Sequence, residues 1–178
     1  MTYKTIISSD ILKNNIDNKD FIIFDCRCDV KDSAYGIQAY TEGHIPNSIF
    51  VDIDSDLASE KTVSSGRHPL PDTEALSEKL SQWGFNSSKQ AVVYDDAGGA
   101  FAGRMWWVLK WLGHTNVAVL DGALGGWMAS GGKLTQDSTI FERSVFTPSI
   151  QDNMYVSIDD VEDAQYKMDK LIIDARSK

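Results

Sequence analysis

The end of this sequence repeats its beginning at a fixed spacing. Ser157 and Asp159 stand 149 positions after Ser8 and Asp10. Residues 169–176 then align without a gap with residues 20–27. The identical pairs are Asp20 and Asp169, Ile23 and Ile172, Asp25 and Asp174, and Arg27 and Arg176. An internal repeat constrains a fold strongly because both copies must form the same supersecondary unit. The repeat predicts a first unit at residues 1–134, a linker at 135–155 and the start of a truncated second unit at 156–178.

Apolar runs alternate with helical patterns through the first unit. A continuous apolar run bounded by turn residues is typical of a strand that is buried on both faces. The sequence predicts strands at 21–25, 49–51, 91–94 and 117–120, and helices beginning near Ser9, Asp72, Phe101 and Leu124. Strands alternating with helices indicate an α/β fold with a parallel sheet and helices on both faces.

Charge and hydropathy exclude several classes of function. The net charge of −9 argues against nucleic acid and anionic membranes as partners. No apolar run approaches the ~20 residues that a membrane span needs, and the N-terminus lacks a signal-peptide core. The expected location is therefore the cytoplasm.

The two cysteines, Cys26 and Cys28, follow the first long apolar run. Two ligands cannot close a zinc site, so neither a metal nor a cofactor is expected. We expect Cys26 to be a small buried apolar residue and Cys28 to be more exposed. A functional thiol at this position is the less favoured interpretation.

Four segments occur in an order and spacing that point to a family. They are Asp25-Cys26-Arg27, Gly43-His44-Ile45-Pro46-Asn47-Ser48, residues 92–107 with Asp95-Asp96-Ala97-Gly98-Gly99 and Arg104-Met105-Trp106-Trp107, and residues 112–127 ending in Gly125-Gly126-Trp127. Residues 5–134 resemble the first domain of tandem-domain rhodaneses, the thiosulfate or 3-mercaptopyruvate sulfurtransferases. The resemblance implies a rhodanese-like parallel sheet with helices on both faces.

The resemblance also implies where the chemistry lies. In this family a cysteine in the second domain accepts sulfane sulfur as a persulfide and passes it to a thiophilic acceptor. Backbone N–H groups ahead of a helix form an anion cradle, which stabilises such a thiolate. Here the first-unit position is Asp95, so the loop of Asp95, Asp96, Ala97, Gly98 and Gly99 is expected to be vestigial. The equivalent loop of the second unit would begin 149 positions after Asp95, near 244.

Some basic residues could still contact the small anionic sulfur donor or line a cleft between two units. The candidates are Arg67, His68 and Arg104. We expect Arg104 to pair with Asp95 or Asp96 rather than to point towards the cleft. His44 is interpreted as a loop anchor and His114 as a residue at a helix end.

We therefore expect this chain to be inactive by itself and to support a second, catalytic rhodanese domain. Two alternatives remain. The chain could be a natural single-domain binding or regulatory protein, or a phosphatase-like hydrolase with Asp95 as its nucleophile. The glycines at 98 and 103 resemble a phosphate loop, but the required Lys-Ser or Lys-Thr pair is missing.

Overall fold

The computed structural model describes residues 2–168 and 170–173. The strands are β1 (Ile6–Ile7), β2 (Phe21–Asp25), β3 (Ser48–Phe50), β4 (Gln90–Tyr94) and β5 (Val117–Leu120). The helices are α1 (Ser9–Lys13), α2 (Tyr35–Glu42), α3 (Thr73–Gln82), α4 (Ala102–Trp111), α5 (Ala123–Ala129) and α6 (Ile158–Lys167), with a 3₁₀ turn at Asp152–Met154. Within these described ranges no helix is long and apolar enough to cross a membrane.

The five strands form one parallel sheet in the order β1-β5-β4-β2-β3. Alternate residues of β2 point to opposite faces, so Ile22 and Phe24 enter one core and Ile23 enters the other. Helices α3 and α4 pack on the first face, and α1 and α5 pack on the second. The predicted α/β fold with helices on both faces is confirmed.

Two strand predictions differ from the structure. Strand β1 was not predicted; it spans only two residues at the sheet edge, and Ile6 is 60% exposed, so its pattern is too short to read. The repeat of the β2 sequence also predicts a strand at residues 170–173. These residues form no strand, and Leu171 and Ile173 are exposed, because no neighbouring strand pairs with them. The repeat positions Asp169, Asp174 and Arg176 lie outside the described residues.

The repeat is visible in how two helices begin. The Ser8 side chain caps α1 and accepts a hydrogen bond from the Ile11 amide. The Ser157 side chain caps α6 in the same way and accepts from the Asp160 amide. The shared serine therefore serves one local purpose in both copies, which is to satisfy a free N–H group of the first turn.

Residues 135–155, the predicted linker, pack against the rest of the structure, because their backbone binds the ends of α3 and α4. The amides of Ser144 and Ser149 donate to the carbonyls of Ser81 (2.9 Å) and Leu112 (2.8 Å). A Cβ at Gly113, whose φ is +86°, would lie 2.5 Å from the Ser149 carbonyl oxygen. Glycine is thus required here both for the left-handed turn and for the close approach of the linker.

His114 lies beneath this linker, packed edge-on against Phe85 and Phe146. Its Nε2–H donates to the Asn116 carbonyl at 3.1 Å, and burial lowers the pKa of the imidazole. The predicted helix-end position is confirmed, since α4 ends at Trp111 and Leu112 is its C-cap.

This burial predicts a pH-dependent stability. A folded pKa below the ordinary value of about 6.5 means that the unfolded chain binds the proton more readily. The stabilisation is therefore present above about pH 6.5 and decreases as the pH falls below it. We expect the melting temperature to fall between pH 7.5 and pH 5.5, and the fall to be smaller in His114→Asn. Equal slopes in the wild-type protein and in His114→Asn would contradict the assignment.

Candidate functional site

The loop between β4 and α4 encloses the Asp95 carboxylate. Its Oδ1 accepts from the amides of Ala97 (3.0 Å) and Gly99 (2.8 Å), and its Oδ2 accepts from those of Phe101 (2.8 Å) and Ala102 (2.9 Å). The carboxylate is fully buried. Four converging backbone N–H groups at a helix N-terminus form an anion-binding site, and this one is filled by a side chain of the chain itself.

Two glycines give the loop this shape. Gly98 and Gly99 have φ values of +70° and +94°, which L-residues with a Cβ rarely adopt. The turn directs successive N–H groups inwards, while the neighbouring Asp96 side chain remains exposed and accepts from the Tyr35 hydroxyl. Adjacent acidic residues therefore have different roles: Asp95 fills the loop, and Asp96 faces solvent.

Asp25 and Arg27, the Asp-x-Arg pattern of the first copy, form a buried network beside the loop. The Asp25 carboxylate accepts from Arg27 Nη2 at 2.7 Å and from the Tyr94 hydroxyl at 2.6 Å. Arg27 also donates to the Gly43 carbonyl at 2.8 Å, just before the His44 turn. Burial and the Asp25 charge raise the pKa of the Tyr94 phenol well above its usual value. The network locks β2, β4 and this turn together.

His44 anchors that turn to the linker. Its Nδ1 lies 2.8 Å from the Tyr40 carbonyl, and its Nε2 lies 3.2 Å from the Asp137 carbonyl. The ring stacks on Tyr40 with centroids 3.8 Å apart. The interpretation of His44 as a loop anchor is confirmed.

Neither thiol is placed for nucleophilic chemistry. Cys26 is fully buried, and burial followed by the charge of Asp25 raises the pKa of its thiol well above its usual value. Cys28 is half-buried, and burial followed by the charge of Asp54 raises the pKa of its thiol. A raised pKa reduces the thiolate fraction that reacts at neutral pH.

A second group of polar residues lies on the segment that follows β3. The Nε2 atom of His68 is 3.1 Å from Asp54 Oδ1, and Lys61 Nζ is 3.7 Å from the same oxygen. A carboxylate-oriented imidazole is an arrangement that can transfer protons. Arg67 is exposed and donates to the Val30 carbonyl at 3.1 Å.

Arg104 differs from its prediction. Its guanidinium pairs with neither Asp95 nor Asp96 and instead donates to backbone carbonyls, including that of Leu57 at 2.9 Å. The reason is that backbone N–H groups already saturate the Asp95 carboxylate.

A cavity of about 590 Å³ lies at the opposite edge of the sheet, between the start of β2 and the linker. Phe21, Ile22 and Phe141 are among its lining residues. Sites in parallel sheets form at the carboxyl ends of the strands, so the cavity is separate from the candidate site. Across residues 2–168 and 170–173, no three His, Cys, Asp or Glu side chains are grouped to hold a metal ion.

Comparison with known proteins identifies the family. Residues 8–130 match the family model described as "Rhodanese-like domain". This chain belongs to the rhodanese-like domain family. The resemblance seen in the motifs of the sequence is thereby confirmed.

Relatives of this rhodanese-like domain are sulfurtransferases. The "Probable 3-mercaptopyruvate sulfurtransferase" of Pseudomonas aeruginosa is 41% identical over 137 residues, which are 76% of this chain and 48% of that protein. The 3-mercaptopyruvate sulfurtransferase of Escherichia coli K12 is 30% identical over 178 residues, 99% of this chain and 62% of that protein. The chain thus spans about half to three-fifths of the length of these two relatives.

The fold agrees with a solved member of the family. The crystal structure of SseA from Escherichia coli, described as a 3-mercaptopyruvate sulfotransferase with the rhodanese fold, superposes with a TM-score of 0.85 at 28% identity. The superposition covers 98% of this chain and 66% of that one.

The loop at Asp95 was predicted from the sequence, but the contact between Asp54 and His68 was not. Asp54 and His68 are 14 positions apart in a segment without helical or strand periodicity. Arg67, His68 and Arg104 are nevertheless linked through their backbone and side chains, because Arg104 also donates to the His68 carbonyl at 3.3 Å. Their role in a cleft stays a prediction.

Proposed function

We propose that residues 1–134 are the first, non-catalytic domain of a two-domain sulfurtransferase, and that residues 156–178 begin its second rhodanese domain. The second domain supplies a cysteine that takes sulfane sulfur from thiosulfate or 3-mercaptopyruvate and passes it to a thiophilic acceptor. This proposal is supported by the names and lengths of the relatives and by the repeat, in which the equivalent of Asp95 lies near position 244.

The observation that carries the proposal is the filled loop at Asp95. A sulfur-accepting cysteine needs free N–H groups to stabilise its thiolate. Here all four bind the Asp95 carboxylate. A carboxylate cannot accept sulfane sulfur, so this domain's contribution is structural and lies at its carboxyl edge. The same hydrogen bonds argue against the hydrolase alternative, because a buried and saturated carboxylate is a poor nucleophile.

An exposed residue, Arg67, and a partly exposed one, His68, define what the first domain offers to a shared cleft. Arg67 presents a cation, and His68 presents an imidazole that Asp54 orients at 3.1 Å. Both suit an anionic sulfur donor, because a cation compensates for the acidic background of the chain. We place the protein in the cytoplasm, where its two free thiols, Cys26 and Cys28, would remain reduced.

The purified 178-residue chain should therefore show no sulfurtransferase turnover. The assays are thiocyanate formation from thiosulfate and cyanide, and sulfide formation from 3-mercaptopyruvate and a thiol. The two-domain protein should be active in at least one of them, and replacing its second-domain cysteine with serine should abolish that activity.

Cys26→Ser and Cys28→Ser variants of the 178-residue chain are the controls for this assay. Turnover by the chain that either substitution removes would contradict the proposal. A two-domain protein that is inactive with both donors would favour the binding or regulatory alternative.

A further inference from the structure

Residues 57–70 form a loop whose two ends lie close together. Leu57 is buried at one end, and Ser59 Oγ donates to the Leu70 carbonyl at 2.7 Å near the other. Val63, between the two ends, is fully exposed. A surface loop of this length with adjoining ends is an Ω-loop, and this one carries Arg67 and His68.

A single guanidinium joins both ends of the Ω-loop. Arg104 Nη2 donates to the carbonyl of Leu57 at 2.9 Å, and to those of His68 at 3.3 Å and Pro69 at 3.1 Å. Its Nε also lies 3.3 Å from the Leu57 oxygen. The guanidinium carbon sits 5.9 Å from the centre of the Trp107 ring, which contacts it from the side of α4.

The partly buried Arg104 guanidinium is held by backbone carbonyls and not by a carboxylate. In the part of the chain that the structure describes, none of the ion pairs involves Arg104. Backbone carbonyls from two ends of one loop therefore take the place of a counter-ion. A planar fork of donors can reach several carbonyls at once, whereas a lysine ammonium on its flexible stem cannot hold the same geometry.

We propose that Arg104 is a positioning residue that ties the two ends of the Ω-loop and thereby holds Arg67 and His68 at the carboxyl edge of the sheet. We call the hydrogen bonds from Arg104 to both loop ends the clamp. The clamp does not depend on the proposed function, but the role of the positioned residues in a cleft does. Fixing the His68 backbone keeps its imidazole on Asp54. Releasing the guanidinium frees the loop without touching either side chain.

Limited proteolysis tests the clamp directly in the 178-residue chain. Trypsin can cut the exposed loop after Lys61 and Arg67, and cleavage in a folded protein reports local opening. Hydrogen bonds to a charged group are strong enough that their loss should raise cleavage at these two sites by about tenfold or more in Arg104→Gln. Cleavage is followed by mass spectrometry, with circular dichroism as a check on folding.

Two further variants make the result specific. Lys110→Gln removes another α4 cation, which lies over Trp106 at 4.4 Å and forms no hydrogen bond to the Ω-loop among the described contacts; it should leave cleavage unchanged. Arg104→Lys keeps the charge and lacks the fork, so it should be cleaved nearly as fast as Arg104→Gln. Wild-type cleavage rates in Arg104→Lys or in a folded Arg104→Gln would overturn the proposal.

Turnover of the two-domain protein separates the clamp from the proposed function. We expect Arg104→Gln to lower kcat by tenfold or more, because small misplacements of positioning groups have effects of this order, and Lys110→Gln to leave kcat unchanged. Faster proteolysis with unchanged kcat would support the clamp and contradict a role for the loop in the cleft. Reduced kcat with wild-type proteolysis would overturn the clamp.

Discussion

Asp95→Ala is expected to destabilise this domain by about 1–3 kcal/mol, the loss typical of leaving buried hydrogen-bond donors unpaired. The substitution leaves the N–H groups of Ala97, Gly99, Phe101 and Ala102 without their acceptor. Water can replace part of the carboxylate, which is why the loss is not the sum of four hydrogen bonds. The measurement is the free energy of unfolding from urea denaturation at neutral pH.

Asp96→Ala is the matched control for this experiment. The residue type and the loop are the same, but the Asp96 side chain is exposed, and its recorded hydrogen bond is to the Tyr35 hydroxyl. Its loss should stay within about 1 kcal/mol, as for most surface substitutions. Equal losses in the two variants would mean that the hydrogen bonds to Asp95 do not contribute to stability as described.

The parts of the fold that the sequence predicted share one property, which is a pattern repeated over many residues. The apolar run of β2 and the Asp72 cap of α3 lie within two residues of their predicted places. Strand β1 was missed because a two-residue edge strand has no periodicity and derives its order from pairing with β5. Residues 170–173 show the reverse: a clear apolar run forms no strand where no neighbouring strand pairs with it.

The part of the site that depends on the local order of residues along the chain was predicted from the sequence. The part that depends on how a long loop folds back was not. Asp95 was found because it follows a strand and precedes glycines and a helix, a local order that predicts an anion cradle. The Asp54–His68 contact could not be found, because its geometry depends on how an irregular loop closes. Arg104 was predicted to pair with a carboxylate because opposite charges attract. Its partners are backbone carbonyls, which every residue carries and which the sequence therefore cannot single out.

Replacing Asp95 with cysteine should convert the filled loop into a thiolate site. The four N–H groups that now bind the carboxylate would face the sulfur, and such groups at a helix N-terminus lower a thiol pKa. We expect the thiol pKa in Asp95→Cys to lie at least 1–2 units below the ordinary ~8.5, which is a tenfold to hundredfold gain in thiolate fraction well below that pH. Little sulfur transfer is expected, because in the proposed two-domain protein the second domain would provide most of the donor-binding groups.

The pH dependence of alkylation of Asp95→Cys tests whether this loop is an anion cradle that a carboxylate fills. The variant is made in a Cys28→Ser background, in which the remaining natural thiol, Cys26, is buried. Asp96→Cys, on the same loop but facing solvent, is the control. We expect a midpoint clearly below that of Asp96→Cys and below the ordinary value of ~8.5. A midpoint for Asp95→Cys equal to the control, or above ~8.5, would mean that the loop is not an anion cradle.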